Sequence, residues 1–365
     1  MRIGIDASRA VKSLRTGVEN YSFEVIRELL KIDRTNSYVL YAPHQPKEDW
    51  PRGREITWRI LPQQRLWTQL RLARELKADP PDVLFIPSHV VPVMSNLPTV
   101  VTIHDLAYKY FPKSYSNFDR RYLNFSTGVS AAKSRLVIVP SAATKRDLIK
   151  EYGVADEKII PIPLAYNGEV FNPDATVGRP PLKGPYVLYV GRIEEKKNLR
   201  LLVEAFNLLS KERRAPMLVL SGKNGYGFEL IQHKIAALPP KIRSRIVQPG
   251  YLPQYDMLAY LKHATVFAFP SWYEGFGLSV LEALAMGTPV VCSNTSSLPE
   301  VTGEAALLLA PTNPLSWAAA LSRIINQPKF AQTLRQKGLR RAAQFSWTTT
   351  AQRTLEVLGR AAAKS

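Results

Sequence analysis

Short apolar runs alternate with amphipathic stretches along the whole chain, and the alternation breaks only once. Strands are predicted at Arg2–Asp6, Tyr38–Ala42, Ile56–Leu61, Val83–Pro87, Thr99–His104, Leu136–Pro140 and Lys158–Ile162, with helical patterns at Glu19–Lys31, Trp67–Lys77, Arg120–Lys133 and Ala142–Tyr152 between them. Residues 163–185 then carry five prolines and three glycines, the punctuation of a linker. A second series follows, with strands at Tyr186–Gly191, Met217–Ser221, Arg245–Gly250, Thr265–Phe269, Pro289–Ser293 and Ala306–Leu309. Its helical patterns fall at Leu199–Lys211, Phe228–Ala237, Gln254–His263, Phe276–Met286 and Pro314–Asn326, and the last of three closing helical patterns runs from about Thr348 to Ala363. Strands that alternate with helices form parallel sheets covered on both faces. The expected fold is therefore α/β, two Rossmann-like domains facing across a cleft, with ligands at the carboxyl ends of the strands.

Several function classes are excluded at this level. No apolar run approaches the roughly 20 residues of a membrane span. The first residues meet Asp6 too early for a signal-peptide core and read as a strand. Cys292 is the single cysteine, so no internal disulfide forms, and a reducing cytoplasm fits. There is no G-x-G-x-x-G after a strand, no P-loop, no Asp-x-Asp and no metal-ligand spacing among the histidines. No metal or cofactor is expected, and a phosphate ligand needs cationic side chains instead. The net charge of +19 leaves nucleic acid, an anionic membrane face and phosphorylated substrates open. Between Leu106 and Lys150, nine Lys/Arg against two acids interleave with aromatic residues, the composition of an interfacial membrane surface or of a solvated helix face.

Four segments offer chemistry. In Pro270–Ala283, Glu274 and Glu282 are separated by seven residues, and Gly275 and Gly277 open backbone N–H groups at a helix start. Helix N-termini attract phosphate, and carboxylates accept hydrogen bonds from sugar hydroxyls. Arg192 and Lys197 flank the turn after the strand that ends at Gly191, and are placed to hold a leaving diphosphate. The β-branched run from Thr99 delivers His104 and Asp105 to a strand end in the first domain. A glycine loop at Gly17 links the first strand to the first helix.

In order along the chain, Gly17, His104-Asp105-Leu106, Gly191-Arg192 with Lys197-Asn198-Leu199, Gly250-Tyr251-Leu252, Pro270-Ser271, the Glu-x7-Glu pair, Gly287-Thr288-Pro289 and Leu298-Pro299-Glu300 resemble the motifs of the retaining family-4 (group 1) glycosyltransferases of GT-B fold. The resemblance implies that Arg192 and Lys197 bind the donor diphosphate, with Gly17 near it, and that Glu282 binds the ribose. It implies that Glu274, with backbone around Gly275, Phe276, Gly277 and Leu278, holds the transferred sugar. His104 is then a contact to that sugar, and Gly250, Tyr251 and Leu252 lie beside the base. His104, Arg192, Lys197 and Glu274 are the expected catalytic set. Asp105, Tyr108 and Glu19 are acceptor-side candidates, Glu19 because the first loop departs from the family pattern there.

The implied reaction moves a hexose from a nucleoside diphosphate sugar to a saccharide or lipid-linked acceptor. The Trp67–Leu70 segment and the context of His104 are most similar to mannosyltransferases of O-antigen assembly, so GDP-mannose is the expected donor. The expected domains are 1–175, joined by 348–365 crossing back, and 183–347. A peripheral position on the inner face of the plasma membrane is expected. The competing readings are a basic nucleic-acid-binding α/β protein, for which no recognition motif is present, and another nucleotide-sugar or glucan enzyme such as an epimerase or phosphorylase.

Overall fold

The computed structural model describes every residue except 14, 54, 64, 183, 213, 214, 364 and 365. The chain divides into two compact units. The first comprises Met1–Tyr110, Tyr115–Ala165 and Ser346–Ser365; the second comprises Phe111–Ser114 and Tyr166–Phe345.

In the first unit, strands β1 (Arg2–Asp6), β2 (Ser37–Ala42), β3 (Ile56–Ile60), β4 (Val83–Ile86), β5 (Thr99–Thr102), β6 (Leu136–Val139) and β7 (Ile159–Pro161) form one sheet in the order β3-β2-β1-β4-β5-β6-β7. Every pairing is parallel. The residues of β4, β5 and β6 are all buried, as expected of strands covered on both faces. The order reverses between β1 and β4, so the loops after these strands leave on opposite sides and open a crevice at their carboxyl ends.

Helix Gly17–Ile32 starts at Thr16, and Glu19 in its first turn reaches back to the Thr16 backbone N–H at 3.2 Å. Helix Trp347–Ala362 belongs to this unit and packs on Gly17–Ile32. It is fastened by Thr348 to Glu28 (2.7 Å), Thr350 to the Pro163 carbonyl (2.9 Å) and Arg353 to the Pro161 carbonyl (2.8 Å).

In the second unit, β8 (Tyr186–Val190), β9 (Met217–Ser221), β10 (Ile246–Gly250), β11 (Val266–Phe269), β12 (Val290–Ser293) and β13 (Ala306–Leu309) form a parallel sheet in the order β10-β9-β8-β11-β12-β13. Its reversal lies between β8 and β11, the strands that precede the two motifs of greatest chemical content.

Two of the differences from the expected helices have a local cause. The Trp67–Lys77 pattern folds as a π-helical segment, Trp67–Leu72, followed by helix Ala73–Ala78; periodicity alone does not separate these windings. The helix expected from Phe276 begins at Leu278, because Gly277 takes a left-handed φ of 103°. A Cβ there would lie 2.6 Å from Leu298 Cδ2, so only glycine fits the turn.

Candidate active site

The second unit concentrates its polar groups where β8 and β11 diverge. Lys197, at the end of a short 3-10 turn after β8, meets Glu274, in the loop after β11, at 2.5 Å. Both side chains are nearly buried, so the pair is shielded from screening by salt. The Lys197 ammonium also lies 5.4 Å from the centre of the Phe269 ring. Ser271, fully buried, donates to the Lys196 carbonyl at 3.3 Å and ties the two loops a second time.

A third loop holds the Glu274 segment from beneath. Ser296 donates to the Glu274 carbonyl at 2.5 Å, and Ser297 donates to the carbonyls of Glu274 (2.9 Å) and Phe276 (2.7 Å). These serines were missed at the sequence level. The only signal was a serine pair directly before a helix that opens Leu298-Pro299. With its carbonyls tied down, the Glu274–Gly277 turn presents helix Leu278–Ala285 N-terminus first.

Glu282 lies one turn into that helix, and burial pushes its carboxyl up to about 8. Gly250 ends β10; its carbonyl accepts from the Gly222 N–H and the Ser221 hydroxyl, both at 2.9 Å. Tyr251 is exposed beyond it, with the Lys223 ammonium 5.0 Å from its ring centre. Leu252 follows in the same loop. The structure thus brings Lys197 and Glu274 into contact. Arg192 is exposed at the end of β8, and its side chain lies over Gly225 in the neighbouring loop, where an added Cβ would crowd it.

In the first unit, His104 is buried at the end of β5. Its Nε2 donates to the Pro87 carbonyl at 3.0 Å, and Tyr21 packs edge-on at 4.8 Å. Burial lowers its basicity, so the neutral ring carries its hydrogen on Nε2 and leaves a lone pair on Nδ1. The His104 backbone N–H donates to His89 Nε2 at 3.2 Å, and the two rings lie 5.6 Å apart. Burial and the neighbouring His104 bring His89 down to about 4. His89 was not singled out from sequence; its position after β4, beside the sheet reversal, is the signal that pointed to it.

The acceptor-side candidates fare differently. Asp105 accepts the Ala107 N–H at 2.9 Å and caps the following turn. Tyr108 is a core residue, its hydroxyl 2.7 Å from that of Tyr152, because its short helix turns this ring inward. Glu19 is likewise consumed by structure. Burial opposes its charge, but Thr16 and Lys12 hold the carboxyl down to about 2, and Arg9 adds a contact at 3.3 Å. Tyr108 and Glu19 are both buried with their polar atoms bonded within the first unit. Gly17 begins its helix in open space. Among the described residues, no group of three or more His, Cys, Asp or Glu is arranged to hold a metal ion, and no helix is long and apolar enough to cross a membrane.

Two doubly wound parallel sheets, each with its order reversed once, are the fold of the GT-B glycosyltransferases. Residues 174–341 match the family described as glycosyl transferases group 1, and residues 15–168 match glycosyltransferase family 4. The chain belongs to this family.

It is 28% identical over 375 aligned positions to the O-antigen chain mannosyltransferase B of Escherichia coli, covering 96% of this chain and 98% of that protein. It is 30% identical over 275 positions to a serotype-specific mannosyltransferase WbdA of Escherichia coli, covering 72% of this chain and 33% of that much longer one. The solved structure of Anabaena HepE in complex with UDP and glucose superposes with a TM-score of 0.74 at 17% identity, over 99% of this chain and all of that one.

Proposed function

We propose that this glycosyltransferase moves mannose from GDP-mannose to a saccharide carried on a lipid, with retention at the anomeric carbon. The Lys197–Glu274 contact at the sheet reversal carries the reading, because it places a cation for a departing diphosphate beside an acceptor for sugar hydroxyls. The mannose assignment is supported by the names of the two Escherichia coli relatives. The nucleoside diphosphate class is supported by the UDP complex of the structural neighbour.

Arg192 and Lys197 take the diphosphate charge in place of a metal. Glu282 accepts from the ribose, and the Gly250–Leu252 turn borders the base. His104 Nδ1 accepts from a hydroxyl of the transferred sugar. Glu274, tied to Lys197, is not a free nucleophile. We therefore assign a front-face displacement. The bond from the anomeric carbon to the phosphate oxygen breaks, the acceptor oxygen bonds to the same face, and its proton passes to the departing phosphate.

A thermal-shift panel of GDP, UDP and ADP tests the donor. GDP is expected to raise the midpoint most, since a ligand that binds only the folded state stabilises it by mass action. A larger shift with UDP or ADP would overturn GDP-mannose, and no shift with any of them would sink sugar transfer. The panel should also vary with pH. Ribose hydroxyls donate to the ionised Glu282 carboxylate, so binding below about pH 8 must first release its proton. GDP affinity is expected to rise between pH 6 and 8 by up to about tenfold per unit, then level. Glu282→Gln should remove that slope.

An anionic membrane surface as the place of the acceptor is supported by helix Asn117–Lys133. Phe118, Tyr122 and Phe125 fall on one face and are 77%, 47% and 66% exposed, beside Arg120 and Arg121. Solvated aromatic rings flanked by arginines are suited to lipid headgroups. Co-sedimentation with phosphatidylglycerol vesicles, weak with phosphatidylcholine, is the expected result. Retention of binding in Phe118→Ser/Phe125→Ser would remove this helix from the account.

A further inference from the structure

Two cavities adjoin along one flank of helix Leu199–Leu209, on the second unit, and none of the proposed donor contacts uses them. The first, about 360 Å³, is bounded by Glu195, Asn198 and Arg200 near the helix start, by Trp272 from the loop after β11, and by Thr312 from the loop after β13. The second, about 390 Å³, continues between this helix and helix Phe228–Ala236, with Asn207 and Lys234 on its walls. Glu204 borders both. Together they make a trench that follows the helix for about 14 Å at its rise of about 1.5 Å per residue.

Trp272 decides what the trench suits. Its neighbours Pro270, Ser271, Tyr273 and Gly275 are buried, whereas Trp272 itself is 38% exposed. A half-exposed aromatic face offers a platform for the C–H face of a sugar ring. Around it stand a carboxylate, an amide, a guanidinium and a hydroxyl, the planar and forked groups that bridge adjacent sugar hydroxyls. The walls carry two acids, Glu195 and Glu204, against two bases, Arg200 and Lys234, with Glu204 paired to Lys234 at 2.5 Å, so the lining has no net charge and suits a neutral ligand. The trench is open and longer than a single pyranose, which fits a chain rather than a monosaccharide.

We propose that this trench is a second carbohydrate site, holding a neutral oligosaccharide segment of the acceptor or product along helix Leu199–Leu209. The inference rests on the reading of the protein as a transferase acting on saccharide chains. Trp272 lies two residues before Glu274, so the trench begins beside the loop assigned to the transferred sugar. A chain seated there stays on the enzyme between additions, and longer acceptors react at lower concentration than short ones.

Titration calorimetry with α-linked mannotetraose and mannobiose, without nucleotide, tests this on the full chain. The tetrasaccharide is expected to bind at least about tenfold more tightly than the disaccharide, since it fills both cavities. Trp272→Ala removes the platform. Thr312→Trp fills the first cavity from the loop after β13 and guards against a folding defect in the first variant. Each should weaken tetrasaccharide binding by about tenfold or more, and Thr312→Trp should leave the GDP thermal shift unchanged. Tetrasaccharide binding that survives Thr312→Trp would overturn the trench. So would an active wild-type enzyme with no preference for the longer chain. Loss of the GDP shift in the wild-type protein would instead strike the donor reading, so the two failures are distinguishable.

Discussion

Lys197→Ala is expected to reduce kcat/KM for sugar transfer by about 100- to 1,000-fold, the range found when one preorganised donor to a developing negative charge is removed. The same change should lower the midpoint of thermal unfolding, because it strands the Glu274 carboxylate in a nearly buried place. A purely structural ion pair would also show the second effect, so the single variant does not separate the roles. The double variant Lys197→Met/Glu274→Gln does. It replaces a charged pair by neutral groups of similar size, which relieves the stranded charge. Stability is expected to recover most of its loss while transfer stays low, since the leaving phosphate has then lost the Lys197 cation and keeps only Arg192. Recovery of transfer along with stability would show that Lys197 only shapes the loop, and the proposed mechanism would lose its main support.

The convergence of the two segments was legible in the sequence, although the direct contact of Lys197 with Glu274 was not. Lys197 and Glu274 are 77 positions apart, yet each follows an apolar run by a few residues. In a doubly wound sheet, the residues that follow two strands flanking the order reversal converge. The central strands were readable for a related reason: runs such as Val83–Ile86 and Leu136–Val139 are buried on both faces and keep no polar side.

What escaped was everything that depends on which way one atom turns. Tyr108 and Glu19 lie in loops and helix starts beside chemistry, but a ring turned inward and a capping bond used them up. The Ser296–Ser297 brace was invisible because its acceptors are backbone carbonyls, which every residue possesses. The helix start slipped from Phe276 to Leu278 because a left-handed φ at Gly277 ends the preceding turn, and sequence shows only that glycine permits this.

Gly222→Ala carries the largest expected effect on folding, and it tests the junction that aims Arg192. Gly222 follows β9 with a φ of 148°, and its N–H donates to the Gly250 carbonyl at 2.9 Å. A Cβ at this position would stand 1.8 Å from the carbonyl oxygen of Gly191 and 2.7 Å from its carbon. Both are backbone atoms at the end of β8, so no side-chain rotation relieves the overlap. Either β8 and β9 separate at their carboxyl ends, or the Gly222 turn flips and gives up its bond to β10. Both outcomes displace Gly191, and with it the loop that carries Arg192 and Lys197.

The expected loss is about 4 kcal/mol or more, in the class of strained backbone and overpacked sites. That is a large share of the roughly 5–15 kcal/mol that holds a typical domain together. The second unit should then be partly unfolded at 25 °C, digested quickly by protease, and blind to GDP. Gly359→Ala is the matched control. That glycine lies within helix Trp347–Ala362 with nothing within 4 Å of its Cβ position. Alanine there gains helix propensity and restricts the unfolded chain, so stability should rise by up to about 1 kcal/mol. One chemical change is thus expected to act with opposite signs at two places, and an unaltered melting curve for Gly222→Ala would mean that β8 and β9 do not end in the close approach described.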